Sequence, residues 1–235
     1  MLNRVFPGPA AELDDVGVAA LYAHLLPGDG SAWVRANVVA TADGAAVGPD
    51  GDSRSISSPA DRALLVVQRR AADVVLVGSG TATHESYRPG RTPIAVVSTA
   101  LDVELDAALY ADPSTVLLTT EAAPPGRIAR AGCAVVVLPG DRVDPAAAIA
   151  ALVGRGLPRV LCEGGPRWLG AVVGAGLLDE LCMTVSPMVL AGPASRVAIG
   201  PAPTVTGLDL VSVCTEGGAL FLRYRRSPAT GPARD

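Results

Sequence analysis

The sequence predicts a single α/β domain with a mostly parallel central sheet, helices on both faces of that sheet and an antiparallel hairpin at its C-terminal end. Short apolar, β-branched runs alternate with helix-like segments through most of the 235 residues, which is typical of βαβ units. Hydrophobic residues make up 49% of the chain and aromatic residues only 3%. Ala, Val, Leu and Ile must therefore fill the core, as they do around buried parallel strands.

Six strands and two crossover helices are predicted in the first two thirds of the chain. A Ser-Ser-Pro start predicts a helix from Pro59 to Arg70, and Asp144 before a proline predicts another from Pro145 to Arg155. The runs at 74–77 and 134–138 show no alternation, so both are predicted as central strands. The predicted strands are Trp33 to Thr41, Val74 to Gly78, Ile94 to Ser98, Thr115 to Thr119, Ala134 to Leu138 and Arg159 to Cys162.

The pattern changes after Gly176. A strand is predicted from Asp179 to Pro187, and two more from Thr206 to Thr215 and Ala219 to Arg226. The last two flank Glu216-Gly217-Gly218, which predicts a hairpin turn. We expect an N-terminal segment over 1–30 that packs on the domain, the domain itself over 31–226, and a flexible tail over 227–235.

Composition argues against several classes of protein. The formal net charge is −4, and the 19 basic residues are arginines scattered along the chain, so no nucleic acid is expected as a partner. The four cysteines stand far apart without a C-x-x-C pair, so neither a disulfide framework nor a metal site is predicted. No apolar run approaches the roughly 20 residues that span a bilayer. We therefore predict a cytoplasmic protein with no membrane partner.

Two glycine-containing turns are candidate ligand sites. Glu163-Gly164-Gly165-Pro166 ends one strand and opens an apolar helical pattern, Trp168 to Gly176. Glycines let a ligand approach the backbone, and a helix N-terminus favours an anionic diphosphate; the alternative is an ordinary βα turn. Gly78-Ser79-Gly80-Thr81 follows another strand in the same way, but Thr83 stands where the dinucleotide fingerprint needs its last glycine.

Asp43 and the two histidines are weaker candidates. Asp43 follows the first predicted strand, and ligands of open α/β sheets bind at the carboxyl ends of strands. The alternative is that Asp43-Gly44 only makes a turn. His24 lies in a helical run and is interpreted as structural, whereas His84 lies either at the mouth of the site or in a solvated loop.

The order of six motifs resembles the reductase domain of riboflavin biosynthesis, a family that shares its fold with dihydrofolate reductase. The resemblance runs from about Trp33 to about Arg226. Its motifs are Asn37-x-Val39-x-Thr41-x-Asp43-Gly44, Ser53-Arg54-x-Ile56-Ser57, Arg69-x-x-Ala72-Asp73-x-Val75-Leu76-Val77-Gly78-x-Gly80-Thr81, Pro93-x-x-Val96-Val97-Ser98, Glu163-Gly164-Gly165-Pro166-x-x-Leu169 and Leu177-Leu178-Asp179-Glu180-x-x-x-x-x-Ser186-Pro187.

The resemblance implies an enzyme that uses NADPH to reduce the ribosyl group of an aminopyrimidine ribonucleotide 5′-phosphate to a ribityl group. Asp43, as a hypothesis, and Glu163 would be catalytic, and Ser53, Arg69, Arg91 and Glu163 would bind substrate. The family also implies a homodimer, with the strands from Asp179 onward as candidate interface. The residues implied to bind NADPH are Val39, Thr41, Ser55, Gly80, Thr81, Glu85, Ser98, Gly164, Gly165, Pro166, Arg167, Trp168 and Leu169.

One loop departs from the family pattern. The family commonly has Thr-x-x-x-Asp-Asp-Pro, whereas this chain has Glu85-Ser86-Tyr87 at the last three positions, followed by an altered loop over 87–91. The zinc deaminase signature of the bifunctional members is not found, so a stand-alone reductase is expected. Two alternatives stay open: a reductase of another heterocycle such as dihydrofolate, and an NADPH-binding protein without turnover.

Overall fold

The computed structural model describes residues 1–228, and these form one eleven-stranded sheet with helices around it. The predicted tail, 227–235, therefore lies outside the described residues beyond Pro228. The strands are β1 Asn3–Phe6, β2 Ala11–Glu12, β3 Trp33–Thr41, β4 Val74–Gly78, β5 Ile94–Val97, β6 Val116–Thr120, β7 Ala134–Leu138, β8 Arg159–Cys162, β9 Glu180–Ser186, β10 Leu208–Glu216 and β11 Ala219–Arg226. The helices are α1 Asp15–Leu21, α2 Pro59–Ala71, α3 Ser79–His84, α4 Ala108–Ala111, α5 Pro125–Ile128, α6 Pro145–Val153 and α7 Pro166–Gly174, with a 3₁₀ turn at Ser53–Ser55.

The sheet has a parallel part and an antiparallel part. Its order is β2-β1-β10-β11-β9-β3-β8-β4-β5-β6-β7. Every pairing from β9 to β7 is parallel, and every pairing from β2 to β9 is antiparallel. The predicted fold class, a mostly parallel sheet that ends in an antiparallel hairpin, is confirmed.

The prediction that β7 is a central strand is wrong, because β7 forms one edge of the sheet. An apolar run shows that both faces of a strand are covered by other parts of the chain, but it does not show how many strands lie beside it. Val135 packs against one core cluster and Val136 against the other, while Val137 is 44% exposed. The opposite edge is formed by β2 and β1, two strands that the sequence did not predict, and β1 pairs with β10.

The N-terminal signals of the two long crossover helices act as predicted. The side chain of Ser58 accepts a hydrogen bond from the Asp61 N–H at the start of α2, and that of Asp144 accepts one from the Ala147 N–H at the start of α6. Each cap satisfies one of the backbone donors that a helix leaves free. Helix α7 begins at Pro166, two residues before the predicted start.

The core lies on both faces of the parallel part of the sheet. On one face α6 and α7 pack on side chains such as Leu76, Leu118 and Val160. On the other face, α3 and α4 pack on side chains such as Val75 and Val96. Helices α1 and α2 cover only one face of the antiparallel part.

A buried ion cluster joins both parts of the sheet. Glu180 of β9 lies 2.9 Å from Arg35 of β3 and 2.6 Å from Arg223 of β11, and Arg35 and Glu180 are fully buried. Burial alone would raise the pKa of Glu180, but the hydrogen bond from Arg223 and the charge of Arg35 outweigh it and lower that pKa. Arg35 also donates to the carbonyls of Tyr22 and Ala23 after α1. The cluster thus fixes three strands and one helix end.

Candidate active site

Two adjoining cavities lie at the carboxyl ends of β3, β4, β5 and β8. The first cavity, of about 590 Å³, is lined by residues of β3, α2, the segment from Gly80 to Arg88 and the glycine turn after β8. The second cavity, of about 840 Å³, lies between the ends of β4 and β5, the start of α7 and residues 141–143. Five residues line both: Gly80, Thr81, Gly165, Pro166 and Ser195. Ligands in the two cavities would therefore lie on either side of the same five residues.

The glycine turn sits where the two cavities meet. Gly164 has φ +84°, a conformation that favours glycine, and its carbonyl accepts a 2.8 Å hydrogen bond from the Gly78 N–H. A Cβ on Gly165 would collide with the Thr81 hydroxyl. Helix α7 begins directly afterwards, so its first free N–H groups and its positive end point toward the second cavity.

Glu163 is held at the floor of the first cavity by two side chains. Arg69 of α2 donates from Nε to Glu163 Oε1 at 2.7 Å and from Nη2 to Oε2 at 2.6 Å, a bidentate pair of the strong kind. The Tyr87 hydroxyl donates to Oε2 as well, and the Arg69 guanidinium lies 5.2 Å from the centre of the Tyr87 ring. The side chain of Glu163 is only 4% exposed.

Burial fixes the protonation of Tyr87. Burial and the negative charge of Glu163 raise the pKa of the Tyr87 phenol well above its usual range, so the neutral hydroxyl acts as a donor. For Arg69, burial alone would lower the pKa, but the hydrogen bond and charge of Glu163 outweigh it and raise that pKa. The Glu163 cluster, formed by Glu163, Arg69 and Tyr87, therefore holds its charges in one arrangement.

Glu85 is a second carboxyl group in the first cavity. It lies just after α3, and the Ser53 hydroxyl donates to its Oε1 at 2.7 Å. Burial raises the pKa of Glu85 above its ordinary value, and the nearby charges of Asp52 and Glu163 add to this against the lowering effect of Ser53. Glu85 is thus the acidic group here that holds a proton more readily than an exposed glutamate.

The structure brings most of the predicted site residues together. Thirteen of them line one or both cavities: Val39, Ser53, Arg69, Gly80, Thr81, Glu85, Ser98, Glu163, Gly164, Gly165, Pro166, Arg167 and Trp168. Five others do not line either cavity: Thr41, Asp43, Ser55, Arg91 and Leu169. Leu169 packs in the core, and Ser55 is exposed and donates to Asp50.

Asp43 lies outside both cavities because its carboxylate is used elsewhere. It accepts hydrogen bonds from the Leu190 N–H at 3.2 Å, the Ala191 N–H at 2.9 Å and the Thr41 hydroxyl. These bonds, the Thr41 bond most of all, lower the pKa of Asp43 to about 2. The geometry supports the turn interpretation over a catalytic one, with the addition that Asp43 binds a distant segment.

Several cavity residues were not given a role from the sequence. Asn37 lines the first cavity and its Oδ1 accepts a 2.6 Å hydrogen bond from buried Gln68. Arg62 lies seven residues before Arg69, two helical turns along the same face of α2, so helical periodicity would have found it. Tyr87 belongs to the loop that departs from the family pattern, so no motif pointed to it.

Comparison with known proteins decides the family. The model of the RibD C-terminal domain matches residues 32–222. The chain belongs to the RibD C-terminal domain family. The family prediction is therefore confirmed, and so is the prediction of an oxidoreductase of the pyrimidine reductase type.

Relatives of this RibD-family chain include a protein named as a pyrimidinone phosphate reductase. It is 31% identical over 180 residues to the 2,5-diamino-6-ribosylamino-4(3H)-pyrimidinone 5′-phosphate reductase of Methanothermobacter thermautotrophicus, with 71% of this chain and 83% of the relative covered. It is 29% identical over 202 residues to the riboflavin biosynthesis protein RibD of Mycobacterium tuberculosis, and this alignment covers 81% of this chain but 49% of the relative. The chain thus spans about half the length of RibD.

A solved structure supports the fold. A pyrimidine reductase-like protein from Corynebacterium diphtheriae superposes with a TM-score of 0.79 at 22% identity, covering 90% of this chain and 99% of the other. In the part of this RibD-family chain that the structure describes, no helix is long and apolar enough to cross a membrane.

Proposed function

We propose that this protein reduces the ribosyl group of an aminopyrimidine ribonucleotide 5′-phosphate to a ribityl group with NADPH, as a step of riboflavin biosynthesis. One observation carries the proposal: two cavities of different chemistry share a wall at the glycine turn. Hydride transfer needs two ligands in contact and held in a fixed orientation. NADPH, when bound, would supply the hydride, and the substrate carbon would accept it.

The second cavity fits the cofactor. The first turn of α7 supplies backbone N–H groups and the positive end of a helix for a diphosphate. The lack of a side chain on Gly165 leaves room beside Thr81 that a Cβ would fill. Ser98, Thr99 and Arg142 line the far part of the cavity. Arg142 would there pair with the 2′-phosphate that distinguishes NADPH from NADH.

The first cavity fits the phosphorylated pyrimidine. The Glu163 cluster would present its carboxylate to the amino groups of the ring. Arg69 is already paired with Glu163, and Arg54 is paired with Asp52, so neither is the best partner for the substrate phosphate. Two other arginines line the same cavity and are exposed: Arg62, whose guanidinium donates to the Ser57 carbonyl, and Arg88. We assign the 5′-phosphate to this pair.

Glu85 is the proposed proton donor. Reduction of a C=N bond adds a hydride to carbon and a proton to nitrogen, so the site needs an acid near the reacting atoms. Burial raises the pKa of Glu85, and the Ser53 hydroxyl orients it. Asp43 accepts three hydrogen bonds and lines neither cavity, so it is not assigned a role in proton transfer.

We also propose a homodimer that forms through the uncovered face of the antiparallel part of the sheet. Helices α1 and α2 cover the other face. Side chains on the uncovered face are almost all apolar, and such a surface marks an interaction site. They are Met183, Val185, Leu210, Val213, Leu220, Leu222 and Tyr224. A cytoplasmic location stays a prediction from the sequence.

The test is cofactor oxidation by the purified protein, followed through the near-ultraviolet absorbance of NADPH. We expect turnover with a ribosylaminopyrimidine 5′-phosphate and none with dihydrofolate, and tighter binding of NADPH than of NADH. Binding of NADPH without turnover of either substrate would contradict the proposal. Turnover of dihydrofolate alone would show that the substrate differs from that of the family, and it would point to the altered loop at 87–91 as the cause.

Arginine variants test the assignment of the phosphate. The double variant Arg62→Ala, Arg88→Ala should lower kcat/KM for the phosphorylated substrate by about 100-fold, because two charge-assisted contacts are lost. The same double variant should change kcat/KM much less for the unphosphorylated nucleoside. Arg70→Ala, an exposed arginine of α2 outside both cavities, is the matched control. Equal losses with both substrates would place the phosphate elsewhere.

A further inference from the structure

The segment between β9 and β10, residues 187–207, forms a strap across the shared wall of the two cavities. Ser195 lines both cavities, Val197 lines the first and Ile199 lines the second. The strap has no helix or strand of its own. Its position therefore depends on the contacts that attach it to the domain.

Two of these contacts lie beside the cavities. The Ala46 N–H donates to the Ser195 carbonyl at 2.9 Å, and the Ile199 N–H donates to the Pro166 carbonyl at the start of α7, also at 2.9 Å. Gly170 of α7 lets the strap approach closely, because a Cβ there would overlap the Ile199 carbonyl. The strap is thus fastened to the turn after β3 on one side and to the proposed diphosphate-binding helix on the other.

Asp43 organises the base of the strap and the turn that holds its middle. Its carboxylate accepts the N–H groups of Leu190 and Ala191, and Ala191 has φ +54°, a left-handed conformation that alanine rarely adopts. The same carboxylate accepts from Thr41, whose hydroxyl oxygen in turn accepts the Ala45 N–H. Loss of Asp43 would therefore loosen the turn over 41–46 and the strap together.

We propose that Asp43 is a positioning residue: by anchoring the strap it holds Ser195, Val197 and Ile199 against the cofactor and the substrate. This inference rests on the proposed function. Three hydrogen bonds converge on one carboxylate, and two of them come from the strap, so a single exposed side chain joins the strap to the end of β3. With Asp43 removed, the strap would open part of the time, and ligands would have to close it when they bind.

The experiment combines proteolysis and ligand binding. Arg196 is exposed, lies in the strap and is the sole trypsin site between Arg167 and Arg223. Cleavage there under native conditions reports opening of the strap. We expect Asp43→Ala to speed cleavage after Arg196 by about tenfold and to raise the Kd and KM for NADPH by about tenfold, which corresponds to one hydrogen bond to a charged group.

Two features separate positioning from loss of the fold. At saturating NADPH, kcat should stay within about twofold of the wild type and the cleavage after Arg196 should slow, because the bound cofactor closes the strap. Cleavage after Arg155, outside the strap, should not change. Asp43→Asn keeps one acceptor oxygen, so it should fall between the wild type and Asp43→Ala, and it replaces that variant if the alanine protein does not fold.

Asp112→Ala is the matched control. Asp112 is partly exposed and accepts hydrogen bonds from the N–H and hydroxyl of Ser114, but it lines neither cavity. Unchanged cleavage after Arg196 and unchanged NADPH affinity in Asp43→Ala would overturn the inference, as would equal acceleration at every arginine. Failure of the wild type to bind NADPH would instead contradict the proposed function, while the cleavage comparison without ligand would still test the strap.

Discussion

The inner charges of the first cavity are hydrogen-bonded before any ligand binds. Glu163 accepts from Arg69, and Asp61 accepts from the hydroxyls of Ser57 and Thr184. Polar groups that are already held need not reorganise when substrate enters, and this lowers the free-energy barrier to reaction. The chemistry of the cavity then depends on the groups that are less completely paired.

Glu85 is such a group, and Glu85→Gln tests its role as the proton donor. We expect kcat to fall by about 100-fold, the usual scale for general acid catalysis. In the wild type, kcat should fall as the pH rises through the pKa of Glu85, which burial places above that of an exposed glutamate. The variant should lose this pH dependence, which a pH series of kcat at saturating substrate would measure.

The same substitution should raise thermal stability. Because the folded state raises the pKa of Glu85, folding favours the protonated form, so the contribution of Glu85 to stability is largest at low pH and is lost as the pH rises from the unfolded pKa to the folded one. Glutamine does not titrate, so Glu85→Gln should raise Tm at neutral pH. Glu121→Gln, at an exposed glutamate outside both cavities, is the control. A Glu85→Gln protein whose kcat keeps the wild-type dependence on pH would rule out Glu85 as the proton donor.

The sequence could predict the part of the site that depends on backbone geometry. The glycine turn at 163–166 follows from strand, glycines and helix in order, and it lies where expected. The contact of Glu163 with Arg69 joins residues 94 positions apart, which no local pattern reports. Asp43 shows the converse: its place at a strand end was predicted, but only the packing of residues 187–207 decides that its carboxylate binds Leu190 and Ala191 and lines neither cavity.

At the scale of elements, helix α7 has two glycines that do different things. Gly170 faces the strap, and any Cβ there would overlap the backbone of Ile199. Gly174 is exposed at the end of the helix, and nothing lies within 4 Å of a Cβ placed there. The same substitution at the two positions therefore separates the helix's own stability from its contact with the strap.

We expect Gly170→Ala and Gly174→Ala to have opposite effects on the free energy of unfolding. Gly174→Ala should stabilise by about 0.4–1 kcal/mol, because alanine loses less conformational entropy in a helix. Gly170→Ala should destabilise by about 1–3 kcal/mol through overpacking and should weaken NADPH binding. Urea unfolding and cofactor titration of both variants measure this; a stabilised Gly170→Ala protein with normal NADPH affinity would show that the strap moves away at no cost.

Element boundaries were predictable where local signals are strong. The bounds of β3, β7, β8 and β11 match the predicted ones, because apolar runs and turn residues are local. The place of β7 at the sheet edge and the addition of β1 were not, since both depend on which strands meet across long stretches of chain. Hydrophobic pattern reports which faces are buried and leaves strand order open.

At the scale of the whole molecule, the two parts of the sheet are covered differently. Helices pack on both faces of the parallel part, whereas α1 and α2 cover one face of the antiparallel part, above the buried Glu180 cluster. The ion cluster fixes β3, β9 and β11 in one arrangement. That rigidity makes the uncovered apolar face a preformed surface, which is what association without rearrangement requires.

The final prediction concerns self-association through this face. Leu220 is 40% exposed and stands opposite Val185 on the uncovered face. Leu220→Arg should raise the dimer dissociation constant by about 100-fold, because an unpaired charge would be buried in the interface, and it should leave the monomer folded. Val66→Arg, on the exposed surface of α2 at 45% exposure, should leave the dimer intact. Sedimentation over a range of concentrations measures the association of all three proteins. A wild type that stays monomeric would exclude this face as the interface, and so would a Leu220→Arg protein that stays dimeric.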